Sequence, residues 1–237
     1  MKKFILIGET GCGADIIAQT LASDEQSYVF GEIFHNNLVI REKEAYRKTI
    51  GGKSSNPIFA CYNTYFHENT NSGVYVHNFL TMPTIKCNSL GFIMYHANLR
   101  TYPEAEIYLK SKSDIHIIHV MRNPLHSLAL SKMDMIGEQQ IYLSFTFCRD
   151  WFKNFDKNKE RMQTMFTKHP MLEMHFPQEF PTCMKEVNTF LTTNASEGKM
   201  DTTFCPDAHI INYNLLKDRF NGTSYEQYFK SDNRNSE

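Results

Sequence analysis

The sequence predicts an α/β fold, in which a central, mainly parallel sheet lies between two layers of helices. Three observations support this prediction. Short apolar segments of strand type alternate with amphipathic helical segments along most of the chain. The strongest strand signal, Ile115–Met121, leads directly into the helix start Asn123-Pro124. Near the amino terminus, the glycine-rich turn Gly8–Gly13 joins another strand to another helix.

Two strands are predicted near the amino terminus. Phe4–Ile7 is a short apolar run, and the helix Ala14–Leu21 follows the glycine-rich turn with its apolar residues near one face. Tyr28–Phe34 is a second short strand that runs into a loop. Glu32 and His35 would therefore emerge at the end of this second strand.

The segment from residue 37 to residue 83 has a weaker pattern. Residues 37–49 are charged and are predicted to be helical, and residues 51–57 form a loop by their Gly, Ser and Pro content. Residues 58–83 follow neither period, and we interpret them as a mobile region that faces the substrate.

The middle of the chain carries the clearest signals. Leu90–Tyr95 is a third buried strand, and Pro103–Lys110 is a short helix with Pro in its first turn. The β-branched strand Ile115–Met121 follows, and Arg122 lies where that strand ends. Asn123-Pro124 are the N-cap and first residue of the next helix.

The last third of the chain continues the alternation of strands and helices. An amphipathic helix is predicted from about Glu138 onward, and Met171–Phe176 is a further strand. Pro181–Leu191 is a helix, and His209–Tyr213 with a helix over Leu215–Phe220 closes the chain. The apolar stripe of the helix from Glu138 recurs at spacings of four and three residues: Ile141, Phe145, Cys148, Phe152 and Phe155.

Composition limits the function classes. A chain of 237 residues is predicted to form one domain over residues 1–237. Its net charge of −1 argues against a nonspecific nucleic-acid binder. The six cysteines are scattered without a C-x-x-C pair, which indicates no zinc site and a reduced, cytoplasmic setting. No stretch approaches the roughly 20 apolar residues of a transmembrane segment.

The turn after the first strand is a candidate phosphate site. Glycines let backbone N–H groups approach an anion, and the following helix adds the positive end of its dipole. Gly8 and Gly13 keep the glycine spacing of a P-loop, but Ala14 and Asp15 stand where its lysine and hydroxyl belong. The pattern predicts a P-loop-like phosphate cradle without the groups that support ATP hydrolysis.

Arg122 is the centre of a second candidate anion site. In a parallel sheet the carboxyl ends of the strands share one edge, so Arg122 and the glycine-rich turn are expected at the same edge. The helix after Arg122 presents free N–H groups at its start, and Ser127 and Ser131 share one of its faces. Guanidinium, N–H groups and a hydroxyl would converge there on one anion.

These two anion sites resemble those of the sulfotransferases, which use 3′-phosphoadenosine 5′-phosphosulfate (PAPS) as donor. The middle of the chain is similar to the bacterial carbohydrate and lipid members of that family. The resembling segments occur in the family's order: Phe4–Leu21, Gly31–His35, Leu90–His96, Ile115–Ser131, Met174–Phe180, Phe190-Leu191, Ile211–Leu216 and Phe220–Phe229.

The resemblance implies a P-loop-like, three-layer α/β/α fold and a metal-free transfer of a sulfuryl group from PAPS. The acceptor would be a hydroxyl of a carbohydrate, a lipid or a small molecule. Glu32 is implied as the base that activates this hydroxyl, with His35 as the alternative. Arg122 and Ser131 are implied as ligands of the 3′-phosphate. The implied 5′-phosphosulfate loop consists of Thr10, Gly11, Cys12, Gly13, Ala14 and Asp15.

The chain departs from the family pattern in this loop. Gly11 replaces the basic residue, and Asp15 replaces a phosphate-binding hydroxyl. Ser131 lies nine positions after Arg122, one more than is usual. One alternative is therefore a catalytically inactive protein that keeps the fold and binds a nucleotide, a glycan or a protein partner. A P-loop kinase of small molecules is a second alternative, against which the missing lysine argues.

Overall fold

Within the residues that the structure describes, the protein has a three-layer α/β/α architecture around an all-parallel, five-stranded sheet. A computed structural model describes residues 1–34, 71–81, 87–176, 180–195 and 204–230. The predicted fold class is confirmed. The predicted helix 37–49, the loop 51–57 and His35 lie outside the described residues.

Each strand of the sheet coincides with a segment for which the sequence predicts a strand. Their bounds are β1 Lys2–Gly8, β2 Ser27–Glu32, β3 Ser89–Tyr95, β4 His116–Arg122 and β5 Met171–Phe176. Their order across the sheet is β2-β3-β1-β4-β5. The strands β1, β3 and β4 are buried along most of their length because helices cover both faces of the sheet, whereas the edge strand β5 is only partly buried.

The helices follow the strands in the predicted alternation. The amino-terminal half contains α1 Ala14–Leu21, α2 Ser72–Leu80, α3 His96–Thr101, α4 Pro103–Lys110 and α5 Pro124–Ile136. The remaining helices are α6 Phe145–Met165, α7 Phe180–Leu191, α8 Pro206–His209, α9 Tyr213–Phe220 and a 3₁₀ turn, Glu226–Phe229. Among these described helices, none has both the length and the apolar character needed to cross a membrane.

Two expectations about helices need correction. The amphipathic helix begins at Phe145 rather than near Glu138, because the Ser144 side chain accepts a hydrogen bond from the Phe147 N–H at 3.2 Å and caps it. Ile141 instead forms an isolated parallel bridge with Ile210. Ile141 is buried in the observed bridge, as it would be on the apolar face of a helix, so the spacing of apolar residues could not distinguish the two structures.

The second correction concerns residues 58–83, which were expected to be mobile and to face the substrate. The described part of that segment contains the regular helix α2. Tyr75, Val76 and Phe79 of this helix are buried in the core. The Tyr75 hydroxyl also donates a hydrogen bond to the Ile33 carbonyl at 2.7 Å.

The core consists of two layers separated by the sheet and a third cluster beside it. Ile5 and Ile7 of β1 point to the layer covered by α2, α4 and α6, whereas Phe4 and Leu6 point to the layer under α1 and α7. The third cluster joins α5, α6 and α9 around Phe152. Packing on both faces of the sheet holds the carboxyl ends of the strands, where the candidate site residues lie, in fixed positions relative to the helices.

The register of the strands brings the glycine-rich turn to the centre of that edge. Gly8, the last residue of β1, pairs with Tyr95 on β3 and with Val120 on β4. Arg122, the last residue of β4, pairs with Phe176 on β5. The turn after β1 therefore lies between the ends of β3 and β4.

Candidate functional site

The turn between β1 and α1 has the backbone geometry of an anion cradle. Gly11 and Gly13 have left-handed φ values of 77° and 96°, and Gly13 is the N-cap of α1 without any side-chain cap. Within the described residues, the N–H groups of Gly11, Gly13 and Asp15 make no hydrogen bond. Free N–H groups at the start of a helix bind anions.

Both glycines are required by close contacts as well as by their backbone angles. A Cβ atom at Gly11 would lie 2.5 Å from the Ser127 carbonyl oxygen of α5, and one at Gly13 would lie 2.8 Å from the Phe176 ring. A side chain at either position would clash in addition to its strain at positive φ. The cation that the family resemblance leads one to expect at Gly11 therefore has no room there.

Two residues of this loop turn their side chains into the core. Cys12 and Ala14 are each 1 % exposed and pack in the layer under α1. Burial raises the pKa of the Cys12 thiol to about 12, so it is protonated at neutral pH. These residues can offer a ligand only their backbone, whereas Asp15 is exposed in the first turn of α1.

The two predicted anion sites touch each other. The Ser131 hydroxyl on α5 donates a hydrogen bond to the Thr10 hydroxyl of the loop at 3.0 Å. Ser127, one turn earlier on α5, is completely buried, and its hydroxyl has no hydrogen-bond partner in the described part of the chain. The loop thus lies directly on the helix that follows Arg122.

Arg122 lies at the end of β4 and is only 7 % exposed. The Phe176 and Phe204 rings flank its guanidinium, with centroids 5.4 and 5.9 Å from Cζ. The following Asn123 caps α5, because its Oδ1 accepts a hydrogen bond from the Leu125 N–H at 3.0 Å. Pro124 has no N–H, and the N–H groups of Leu125 and Ser127 are both bonded to Asn123, so the free N–H groups expected there are not found at these three positions. Arg122 remains the main candidate anion ligand at this end of β4.

Glu32 lies at the end of β2 and is 5 % exposed. Its Oε1 accepts a hydrogen bond from the Asn98 side-chain amide at 3.2 Å. The Tyr95 backbone N–H donates to Asn98 Oδ1 at 2.6 Å, and this fixes which end of the Asn98 amide faces Glu32. Because β3 separates β2 from β1, Glu32 is about 10 Å from the central strand, at about 5 Å per strand.

Glu9 is a second buried carboxyl at this edge, and the sequence reasoning assigned it no role. It is 9 % exposed, and Asn158 on α6 donates a hydrogen bond to its Oε1 at 2.6 Å. Arg100 on α3 donates to Asn158 Oδ1 at 3.0 Å. Burial raises the pKa of Glu9, against the opposing effects of the Asn158 hydrogen bond and of the Arg100 charge. The only feature of the sequence that could have indicated Glu9 is its position, between an apolar strand and a glycine-rich turn.

Two histidines are buried close to the same edge. The rings of His96 and His119 make an edge-to-face contact, with centroids 5.4 Å apart. Burial lowers the pKa of His96 to about 3 and that of His119 to about 4, although the Glu173 carboxylate, 3.8 Å from His119 Nδ1, acts in the opposite direction on His119. Both rings are neutral at pH 7.

The carboxyl edge of the sheet therefore carries two carboxyl groups, a glycine loop with free N–H groups and a flanked arginine. This arrangement suits an elongated ligand with two anionic groups, since the loop and Arg122 are on adjacent strands. Among the residues that the structure describes, there is no group of three or more His, Cys, Asp or Glu side chains that could hold a metal ion.

Comparison with known proteins relates the fold to solved structures. The chain is similar to a sulfotransferase from Alicyclobacillus acidocaldarius, with a TM-score of 0.52, 16 % sequence identity and coverage of 93 % of this chain and 91 % of that chain. An uncharacterized protein from Eubacterium ventriosum matches at a TM-score of 0.40 and 10 % identity, over 81 % of this chain and 98 % of that chain. No family model and no curated protein matches the sequence. The chain thus has a sulfotransferase-like fold.

Proposed function

We propose that this protein is a PAPS-dependent sulfotransferase that transfers a sulfuryl group to a hydroxyl of a carbohydrate, lipid or small-molecule acceptor. One observation carries the proposal: in a sulfotransferase-like fold, the glycine-rich loop after β1 and the end of β4 that carries Arg122 lie on adjacent strands, and the Thr10–Ser131 hydrogen bond joins the loop to the helix after Arg122. A donor with phosphate groups at both its 3′ and 5′ ends needs two such sites at one sheet edge.

The donor's two ends are assigned to the two sites by their chemistry. The free N–H groups of Gly11, Gly13 and Asp15 would bind the 5′-phosphosulfate at the start of α1. Arg122 would bind the 3′-phosphate, and Ser131 would contribute its hydroxyl. The free N–H groups of the loop and the Arg122 guanidinium support this assignment, whereas the lack of room for a side chain at Gly11 argues against a cation in the loop.

PAPS supplies an activated sulfuryl group with a phosphate leaving group, so the chain's own task is mainly positioning and proton removal. Glu32 is proposed as the base that accepts the proton of the acceptor hydroxyl. Its Oε1 accepts a hydrogen bond from Asn98, which orients the carboxylate at the end of β2. His35, the alternative base, lies outside the described residues.

A second candidate is a protein of this fold that binds the nucleotide without catalysing transfer. It is favoured by the absence of a cation at Gly11 and by the exposed carboxylate of Asp15 beside the helix start. Such a protein would bind adenosine 3′,5′-bisphosphate, the desulfonated product, but would not turn over PAPS with any acceptor.

The donor site can be tested through Arg122. Charge-assisted hydrogen bonds contribute roughly 1.5–3 kcal/mol, so Arg122→Ala should weaken the binding of adenosine 3′,5′-bisphosphate roughly 10- to 150-fold. Binding of adenosine 5′-monophosphate, which lacks the 3′-phosphate, should change much less. Isothermal titration calorimetry measures both, with Arg149→Ala on the exposed side of α6 as the matched control. Equal losses for the two nucleotides would remove Arg122 from this role.

A further inference from the structure

Glu9 is part of the candidate donor loop, although no role follows for it from the family resemblance. It is the first residue after β1, and its carbonyl accepts a hydrogen bond from the Cys12 N–H at 3.1 Å, which closes the turn. Its side chain is almost completely buried. The buried carboxyl of Glu9 therefore belongs to a residue only two positions before Gly11, one of the loop residues with a free N–H group.

The hydrogen bonds around Glu9 determine which of its oxygens can carry a proton. Arg100 has only donors and contacts Asn158 Oδ1, so the Nδ2 end of the Asn158 amide must face Glu9. Glu9 Oε1 is consequently an acceptor. Oε2 makes no hydrogen bond in the described part of the chain. A protonated Glu9 would carry its proton on Oε2, where it is available to a ligand.

The groups around Glu9 act on its protonation in opposite directions. Burial disfavours the charged form of Glu9, whereas the Asn158 hydrogen bond and the Arg100 charge favour it, and the net effect is a raised pKa. His96 and His119, with pKa values of about 3 and about 4, stay neutral above pH 6. An anion in the loop would disfavour the charged form of Glu9 further.

We propose that Glu9 binds the donor's anionic group as a neutral carboxylic acid, donating a hydrogen bond from Oε2 where the loop has no room for a cation at Gly11. This inference rests on the proposed function, because it assumes a phosphate or phosphosulfate in the loop. A buried carboxyl kept neutral by its surroundings is a known kind of hydrogen-bond donor to a developing or bound anion.

Protonation of Glu9 then becomes part of donor binding. The proton comes from solvent and bonds to Oε2, so binding takes up protons whenever free Glu9 is ionised. Above the pKa of free Glu9, the affinity for the anion should fall by up to about tenfold per pH unit. Below that pKa, the affinity should not depend on Glu9.

The experiment compares wild-type protein with Glu9→Gln, using adenosine 3′,5′-bisphosphate as the probe. Glutamine keeps the acceptor for Asn158 and places a permanent N–H donor where Oε2 stands. Calorimetric dissociation constants are measured between pH 6 and 8.5, and the wild-type value is divided by the variant value. The titration of the ligand's own phosphates cancels in this ratio.

We expect the ratio to rise with pH and to reach about tenfold or more at pH 8.5, with Glu9→Gln the tighter binder. Glu173→Gln, which changes a partly exposed carboxylate beside His119, is the matched control and should give a constant ratio. Asn158→Asp removes the hydrogen bond to Glu9 and adds a like charge, so it should move the loss of affinity to higher pH.

The outcomes separate the inference from the proposed function. A ratio that does not change with pH, or a Glu9→Gln variant that binds more weakly at every pH, would overturn the role of Glu9 while leaving donor binding intact. Absence of binding by both proteins at every pH would overturn the proposed function itself. Wild-type titrations at pH 8 in two buffers of different ionisation enthalpy add a second readout, and the absence of proton uptake would contradict the inference.

Discussion

The buried histidine pair should make the protein sensitive to acid. At pH 8, His96 and His119 are neutral in both the folded and the unfolded chain, so they do not affect the free energy of unfolding. Below pH 6.5 the unfolded chain binds protons at both histidines. In the folded protein, His119 binds its proton only near pH 4 and His96 only near pH 3. Stability is therefore retained above pH 6.5 and lost progressively as the pH falls below it.

The size of the effect follows from the pKa differences. A pH of 5 lies about 1.5 units below the ordinary histidine pKa, so the histidines of the unfolded chain are protonated while those of the folded protein remain mostly neutral. This difference lowers the free energy of unfolding by roughly 2 kcal/mol per residue. The two residues together should lower it by roughly 4 kcal/mol, a large share of the stability of an ordinary domain. The raised pKa of Glu9 acts with the opposite sign and reduces the loss.

Urea denaturation at pH 8 and at pH 5 measures this loss. Wild type should lose roughly 4 kcal/mol, and each of His96→Gln and His119→Gln should lose roughly half as much, because one titrating group has been removed. The double variant should lose only a small part of the roughly 4 kcal/mol that wild type loses between pH 8 and pH 5. His77→Gln, on the exposed face of α2, is the control and should behave as wild type. A double variant that loses as much as wild type would refute the reasoning.

Two further predictions concern the proposed site. Glu32→Gln should leave the affinity for adenosine 3′,5′-bisphosphate unchanged and should lower turnover of PAPS by about 10²- to 10⁴-fold, since it removes the proposed base; unchanged turnover would assign the role elsewhere. Asp15→Thr should tighten PAPS binding several-fold in a calorimetric titration, because it removes a carboxylate that repels the phosphosulfate. The change for adenosine should be small, and weaker PAPS binding by this variant would contradict the account of the loop.

The local structure of this protein was predictable from the sequence because its causes are local. α1, α4 and β5 have the predicted bounds, since an apolar period, a Pro in the first turn or a β-type run is read within a few residues. Asn123-Pro124 started α5 as expected, through a cap that involves only the neighbouring N–H of Leu125. Even the shared edge of Arg122 and the glycine turn followed, because carboxyl ends of parallel strands meet there.

The tertiary structure decided what depends on contacts between distant segments. Asn158 and Glu9 are 149 positions apart, and nothing in the lysine-rich α6 distinguishes Asn158 as the partner of a loop carboxyl. The contact of Gly11 with the Ser127 carbonyl, which excludes a cation from the loop, also requires α5 to pack on that turn. The strand order and these packing contacts result from many small burial energies summed over whole faces of the sheet. Residue spacing determines which face of an element is apolar, but it does not determine which element will cover that face.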